Sequence, residues 1–288
     1  MGRIRRSWEL VKQSFAILKS DKELAVLPVL SAISCLLVSA FVILGGTAVL
    51  WPEIHSATEA GLRFQPNGQL LFPAIFAFYL VNYLVIVFFN VALVSAASER
   101  LAGRPATLRD GLNKAWERKG KILEWALLAA TVGMLLKLIE QRSGLIGNII
   151  AKLIGVAWTL ASYFVAPILA FEGLGPIGAL KRSAEIFSKT WGEEIVGRVS
   201  ISAIFGLALL AGVPVCVAGM YLGGMPGLWI GVGVWVLYFL ALSVVGSALQ
   251  GIFTAALYQY ATTNTAPPEF SAGTLSSAWG PKKRKSLL

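Results

Sequence analysis

The sequence predicts an all-α integral membrane protein, built as a bundle of six transmembrane helices. Three observations predict this fold class: the composition, the length of the apolar stretches and the placement of the basic residues. Of the 288 residues, 56% are hydrophobic and only 14% are charged, whereas a soluble domain usually carries about 25% charged residues. The chain therefore has too few charged groups to cover a surface that faces water.

The apolar residues are grouped in stretches long enough to cross a bilayer, which requires roughly 20 residues in a helix. Six stretches meet this requirement: Leu24–Leu50, Leu70–Ala97, Ile122–Ile139, Ile149–Phe171, Val199–Leu222 and Leu228–Leu257. Helices are predicted because backbone polar groups in lipid must be bonded within the protein and the alternation typical of barrel strands is missing. The connectors Glu140–Asn148 and Gly223–Gly227 are so short that each predicts a tight antiparallel hairpin.

Lysine and arginine residues are concentrated in alternate connectors. They cluster in four segments, residues 1–22, 98–121, 172–198 and 262–288. The intervening connectors hold only Arg63 and Arg142. By the positive-inside rule, this bias places both termini in the cytoplasm. The net charge of +10 comes from these basic segments, which orient the protein in the membrane. The charge is therefore no evidence for binding to nucleic acid, and no nucleic-acid partner is predicted.

Each basic segment that precedes a pair of spans contains an amphipathic pattern, which predicts a short interfacial helix. The three patterns align on the aromatic residues Phe15, Trp116 and Trp191, with an acidic residue six positions before each. This alignment predicts three interfacial amphipathic helices and a threefold internal repeat of one such helix followed by two spans. The repeats cover about residues 1–97, 98–171 and 172–257. Since all units have the same orientation, an axis along the membrane normal should relate them.

The spans form one predicted transmembrane domain, residues 1–261. Residues 262–288 are rich in Pro, Ser and Gly and contain Lys282–Lys285, so they are predicted to be a mostly disordered basic cytoplasmic tail. A basic residue near an anionic membrane surface contributes about 1 kcal/mol of attraction. Membrane lipids with anionic headgroups at the cytoplasmic face are therefore the predicted partners, together with a possible second membrane protein.

Most polar side chains of the predicted spans fall towards their cytoplasmic ends. The predicted polar cavity consists of Asn82, Asn90, Glu99, Glu124, Glu172 and Gln250, with Thr254 beside them. These residues either line one cavity open to the cytoplasm or form separate interhelical hydrogen bonds and ordinary helix ends. For Asn82, near the middle of the second span, a bond to a neighbouring helix is the simpler expectation.

A second group of residues surrounds the end of the fourth span. Pro167 removes a backbone hydrogen bond and is expected to bend or unwind the span. Glu172 ends the span, and pairing with Arg182 would hold the following interfacial helix, with Ser183 near its start. We interpret these four residues as a structural anchor, with a catalytic role as the alternative.

Three further charged residues, Lys137, Glu140 and Lys152, lie near the outer ends of the third and fourth spans. A charge at the centre of a span costs about 2.5–3.5 kcal/mol on insertion scales. These side chains are therefore expected to extend to the headgroups or to pair across the hairpin, Glu140 with Lys152.

No catalytic, cofactor-binding or metal-binding motif is found in the sequence. His55 is the only histidine, so neither a histidine metal cluster nor a Ser–His–Asp triad can form. We therefore predict a non-enzymatic polytopic protein that acts as an accessory or organising factor for lipid or another membrane protein. A transporter or channel with a cytoplasm-facing polar cavity is the alternative. An enzyme that acts on lipid headgroups through carboxylates is a third hypothesis.

Several segments together resemble one family. They are Arg5–Leu10, Phe88–Val94 with Asp110–Leu112, Pro167–Pro176 with Ala179–Ser183, and Tyr260–Thr263 with Pro267 and Phe270. The segments resemble a family of uncharacterised prokaryotic multi-pass membrane proteins, which implies a location in the prokaryotic cytoplasmic membrane. The stretch around Glu172 is also distantly similar to the non-catalytic membrane region attached to bacterial glycerophosphodiester phosphodiesterases. These resemblances imply the architecture and add no activity.

Overall fold

The computed structural model describes residues 3–59, 68–142, 144–190, 206, 210, 212–265, 267, 268 and 270. Within these ranges the chain forms helices and no strand. The helices are α1 Arg3–Ser20, α2 Glu23–Glu59, α3 Gly68–Leu101, α4 Leu108–Glu117, α5 Lys119–Arg142, α6 Leu145–Ala161, α7 Val165–Phe171, α8 Pro176–Thr190 and α9 Val213–Thr263. The described part of the protein is therefore all-α, as predicted.

Five described stretches are long and apolar enough to cross a membrane. They are Glu23–Pro52, Pro73–Leu101, Lys119–Gln141, Gly147–Phe171 and Val213–Thr263. The first four overlap the first four predicted spans, and the fifth contains the predicted span Leu228–Leu257. Eleven of the 24 residues of the predicted span Val199–Leu222 lie outside the described residues, as does Trp191 of the third predicted repeat. The described helices are those of a multi-pass membrane protein, while the number six and the threefold repeat stay predictions.

The longest helix, α9, folds back on itself. Gly224 has φ 59° and ψ −142°, which interrupts the helical conformation. Beyond this point the backbone of Gly227 packs directly on that of Gly219, and Gly231 packs on Cys216. A Cβ atom at Gly219 or Gly227 would collide with the carbonyl oxygen of the other residue, so glycine is required for this close approach. The short connector therefore joins two antiparallel segments, as its length predicts.

The fourth predicted span is divided into α6 and α7 by a turn at residues 162–164. This turn lies one helical turn before Pro167, whose ring would collide with the carbonyl of Tyr163 in a continuous helix. In α7 the proline occupies the first turn, where a backbone N–H has no helical acceptor. The N–H of Phe164 donates instead to Ser183 Oγ at 2.9 Å. Ser183 is buried in the middle of α8, rather than near its start.

The central helix of the described bundle is α3, which packs against α2, α4, α5, α7 and α9. Its second half is enclosed, and the surrounding core includes Phe164, Ile168 and Ile252. We call the enclosed half of α3 and its surrounding core, together with α1, α4, α8 and the last turns of α7 and α9, the basic end. The opposite region, with the α5–α6 connection at Gly144 and the fold in α9 at Gly224, is the hairpin end. Its large apolar side chains are exposed, as expected for a surface that faces lipid.

Candidate functional site

A polar cavity of about 240 Å³ lies between α3, α6, α7 and α9, beside the interruption of the fourth span. The cavity is lined by Asn90, Thr159, Ser162, Tyr163, Ala166, Ser247, Gln250, Gly251 and Thr254. The interruption contributes to the wall directly, because Ser162 and Tyr163 belong to the non-helical turn. Irregular backbone at membrane depth is tolerated where it is buried in protein or lines a cavity. The break and the cavity therefore form one feature.

The described residues of the cavity wall offer hydrogen-bonding groups, and none of them is charged. Thr254 Oγ1 donates to the hydroxyl oxygen of Tyr163 at 3.3 Å. The side-chain amides of Asn90 and Gln250 make no hydrogen bond to any residue that the structure describes. Because an amide without a partner in an apolar medium costs roughly 2–7 kcal/mol, we expect a polar molecule, water in the simplest case, to occupy this space.

The structure brings together only part of the predicted cavity set. Asn90 and Gln250 share the wall with Thr254. Asn82 lies two turns away on α3, and its Nδ2 donates to the carbonyl oxygen of Phe78 in the same helix at 3.0 Å. The expected side-chain bond from Asn82 to a neighbouring helix is therefore wrong, because the carbonyl four residues earlier is within reach.

The three predicted glutamates lie at the basic end and do not line this cavity. Each forms an ion pair: Glu99 with Arg104, Glu124 with Lys121 at 3.1 Å, and Glu172 with Arg182 at 3.2 Å. A carboxylate near the membrane surface is stabilised by water and a basic partner, which an uncharged cavity cannot supply. By contrast, Glu140 and Lys152 form no ion pair with a described residue, which contradicts pairing across the hairpin and leaves extension to the headgroups as the expectation.

Glu172 joins three helices at the basic end. Arg182 Nε on α8 donates to the two carboxylate oxygens of Glu172 at 3.2 and 3.3 Å. The hydroxyl of Tyr258 on α9 donates to Glu172 Oε1 at 2.8 Å. The pair with Arg182 follows from residues ten apart in the sequence, whereas Tyr258 is 86 residues away and carries no local signal. We call Glu172, Arg182 and Tyr258 the Glu172 cluster.

Arg118 lies beside this cluster and was missed by sequence reasoning. Gly173 follows the end of α7 with φ 62°, and a Cβ atom there would stand 2.5 Å from Arg118 Nη1. The guanidinium therefore packs on the glycine backbone. Arg118 Nε is buried and has no hydrogen-bond partner among the described residues. Such a donor would be satisfied by an anionic oxygen, for example that of a phosphate.

The start of α4 is held by a capping box. The N–H of Asp110 donates to Thr107 Oγ1 at 3.2 Å, and the N–H of Thr107 donates to Asp110 Oδ2 at 3.0 Å. The side-chain and backbone hydrogen bonds from Thr107 lower the pKa of Asp110 from its ordinary value. The N–H of Leu108 donates to Glu23 Oε2 at 3.2 Å, which ties α4 to the start of α2. The sequence signal for this cap is Thr-x-x-Asp.

The helices α1, α4 and α8 expose apolar and basic side chains together. Among the side chains that the structure describes, each has a large exposed apolar residue: Phe15 at 50%, Trp116 at 62% and Ile177 at 62%. Lys119 Nζ lies over the Trp116 ring, 4.5 Å from its centroid. Six basic side chains at this end make no ion pair with a described residue: Lys19, Lys22, Arg109, Arg118, Lys119 and Lys181. This combination is typical of helices at a bilayer surface.

In the described part of the chain, no group of three or more His, Cys, Asp and Glu side chains is placed to hold a metal ion.

Comparison with known proteins identifies a family. No curated protein and no solved structure matches the sequence. One family model matches residues 70–267, more than half of the chain, including the cavity wall and the Glu172 cluster. The chain belongs to the family of unknown function DUF6159.

Proposed function

We propose that this protein is a non-enzymatic accessory or organising factor, which acts on anionic lipid or on another membrane protein through its basic end. One observation carries the proposal: the unpaired basic residues of the basic end lie beside the exposed apolar residues of α1, α4 and α8. The apolar groups would enter the acyl region, while the cations reach the headgroups. The buried Nε of Arg118 adds a donor for a phosphate oxygen.

The proposal includes six spans, with the basic end and both termini in the cytoplasm of a prokaryotic cell. The distribution of Lys and Arg supports the orientation, and the fold in α9 at Gly224 supports counting two crossings there. The prokaryotic location rests on the family resemblance.

Single cysteines test the orientation. In a background without Cys35 and Cys216, we expect a membrane-impermeant maleimide to label His55→Cys in intact cells. Lys22→Cys should be labelled only after permeabilisation. Equal labelling of both positions in intact cells would contradict the proposed orientation.

Lipid preference is tested in nanodiscs that contain phosphatidylcholine and phosphatidylglycerol. Native mass spectrometry after extraction would count the phosphatidylglycerol molecules that stay bound. We expect Arg118→Gln and Lys181→Gln each to weaken retention about fivefold, since one cation near the surface contributes about 1 kcal/mol. Lys152→Gln removes the same charge at the hairpin end and is the matched control. Equal retention of both lipids, or equal loss in all three variants, would remove the lipid part of the proposal.

A second function, transport of a small uncharged polar solute, is favoured by the cavity. Interrupted helices form the binding sites of many secondary transporters, and here the interruption meets the unpartnered amides of Asn90 and Gln250. The wall residues that the structure describes are all uncharged, which favours an uncharged solute.

Proteoliposome flux of radiolabelled glycerol and urea tests this function. Asn90→Leu and Gln250→Leu should slow entry, because each removes a hydrogen-bonding group from the wall. Asn82→Leu is the control, since its amide is bonded within α3 and lies outside the cavity. Flux no greater than in empty liposomes would eliminate transport of these solutes.

A further inference from the structure

We infer that a groove at the hairpin end binds one acyl chain of an anionic membrane phospholipid, whose phosphate is held by Lys137. The groove has a volume of about 470 Å³ and lies between α3, α5 and α6. Tyr79 and Tyr83 form one wall, Gly133 and Met134 belong to the opposite helix, and Trp158 closes the inner end. This site is separate from the basic end and does not depend on the function proposed there.

The groove runs along the helix axes. Its α3 wall consists of Ile75, Tyr79 and Tyr83, which recur every four residues and so lie on one helical face. The helix rises about 12 Å over the eight steps from Ile75 to Tyr83, close to half of the roughly 30 Å hydrocarbon core. The groove is therefore as long as most of one leaflet, which is the length that one acyl chain occupies.

The side of the groove formed by α5 has small residues. Ala129, Ala130 and Gly133 line it, and a Cβ atom at Gly133 would meet no heavy atom within 4 Å. The apolar side chains that line an empty groove lose dispersion contacts, because no atoms lie opposite them. In a bilayer, a flexible acyl chain can fill the groove and restore these contacts.

Charge complementarity selects the headgroup. Among the residues that the structure describes, Lys137 is the only charged one that lines the groove, and Gln141 lies one turn beyond it. Lys137 is eighteen residues after Lys119, or about 27 Å along α5, so its ammonium reaches the headgroup level opposite the basic end. It forms no ion pair with a described residue, Glu140 included. An apolar groove that ends in an unpaired ammonium fits an amphiphile with an anionic head.

Photo-crosslinking tests this site. The full-length protein would be placed in phosphatidylcholine nanodiscs with phosphatidylglycerol that carries a diazirine on its acyl chain. We expect labelled peptides to contain Tyr79, Tyr83 or Met134. Gly133→Leu should remove most of this label, because the new side chain enters the open groove. Gly45→Leu is the matched control, since a Cβ atom at Gly45 on α2 would also meet no heavy atom within 4 Å.

The headgroup contact is tested separately, so that the result does not depend on how Gly133→Leu folds. Lys137→Met should reduce labelling by phosphatidylglycerol about tenfold, the effect of losing one charged hydrogen bond. Lys152→Met on α6 should leave it unchanged. Equal labelling of Gly133→Leu and Gly45→Leu would overturn the inference, as would equal labelling of the two lysine variants. Crosslinks that join two protein copies at Tyr79 would identify a second copy as the occupant and overturn it as well.

Discussion

The basic end and the hairpin end of the bundle differ in how their helices are held. At the basic end, α7 and the second half of α3 are enclosed, and the Glu172 cluster joins α7, α8 and α9. At the hairpin end, large apolar residues are exposed, including Phe41 at 80% and Leu222 at 90%. Lipid tails are as apolar as leucine, so helices in a bilayer associate through close packing and polar bonds rather than through apolar burial. The basic end therefore sets the helix arrangement, and the hairpin end presents surface to lipid.

The largest effect should come from a cavity at the basic end. Phe164 is fully buried, and Phe164→Ala should lower the free energy of unfolding by about 3 kcal/mol through lost packing and the remaining void. Phe41→Ala removes the same atoms at the hairpin end, where lipid fills the space, and should have almost no effect. Unfolding in detergent with increasing dodecyl sulfate would measure both. Similar losses would contradict the contrast between the two ends.

The reversal of α9 at Gly224 is tightly packed, unlike the rest of the hairpin end. Gly227→Leu would force a side chain against the backbone of Gly219, and overpacking of this kind costs about 2 kcal/mol. Gly233→Leu is the control, because a Cβ atom at Gly233 meets no heavy atom within 4 Å. Thermal unfolding of the two variants in one detergent should separate them. If both lower the melting temperature equally, the close approach of the two glycines does not stabilise the fold.

A smaller effect is expected from the Glu172 cluster. Glu172→Gln removes the charge that accepts hydrogen bonds from Arg182 and Tyr258, and should cost about 1 kcal/mol after allowance for solvent screening. Glu124→Gln changes an exposed pair with Lys121 and should cost about 0.3 kcal/mol. The same unfolding titration measures both changes. An equal response would mean that the cluster holds the helices no better than a surface ion pair does.

The smallest effect concerns the cap of α4. Thr107→Ala removes hydroxyl bonds that lower the pKa of Asp110, so this pKa should rise towards its ordinary value of 3.8. Because the folded pKa is the lower one, the stabilisation is complete above pH 3.8 and is lost as the pH falls through the folded value. Carbon NMR of the Asp110 carboxyl would follow the titration. Thr131→Ala, whose hydroxyl bonds within α5, should leave the pKa unchanged.

Sequence reasoning succeeded where one-dimensional quantities decide the structure. The predicted spans Leu24–Leu50 and Leu70–Ala97 lie inside α2 and α3, because bilayer thickness sets the number of apolar residues in a crossing. Counting along the spans also placed Asn90 and Gln250 at a similar level, and the two residues line one cavity. It did not give the rotation of each helix about its axis or the partners within reach. For this reason Glu99 and Glu124 were assigned to a cavity, although neighbouring bases hold them at the basic end.

The interruption before Pro167 shows how the two kinds of information divide. The proline ring removes a backbone hydrogen bond and crowds the carbonyl four residues earlier, so residue chemistry alone predicts a disturbance in the fourth span. The groups that stabilise the interrupted span come from elsewhere: Ser183 on α8 accepts the N–H of Phe164, and Tyr258 on α9 bonds Glu172. These contacts depend on how helices pack across tens of residues of chain. The length of an apolar stretch and the chemistry of single residues act locally, so both can be predicted from the sequence. Interhelical hydrogen bonds and cavities exist only once the bundle has formed.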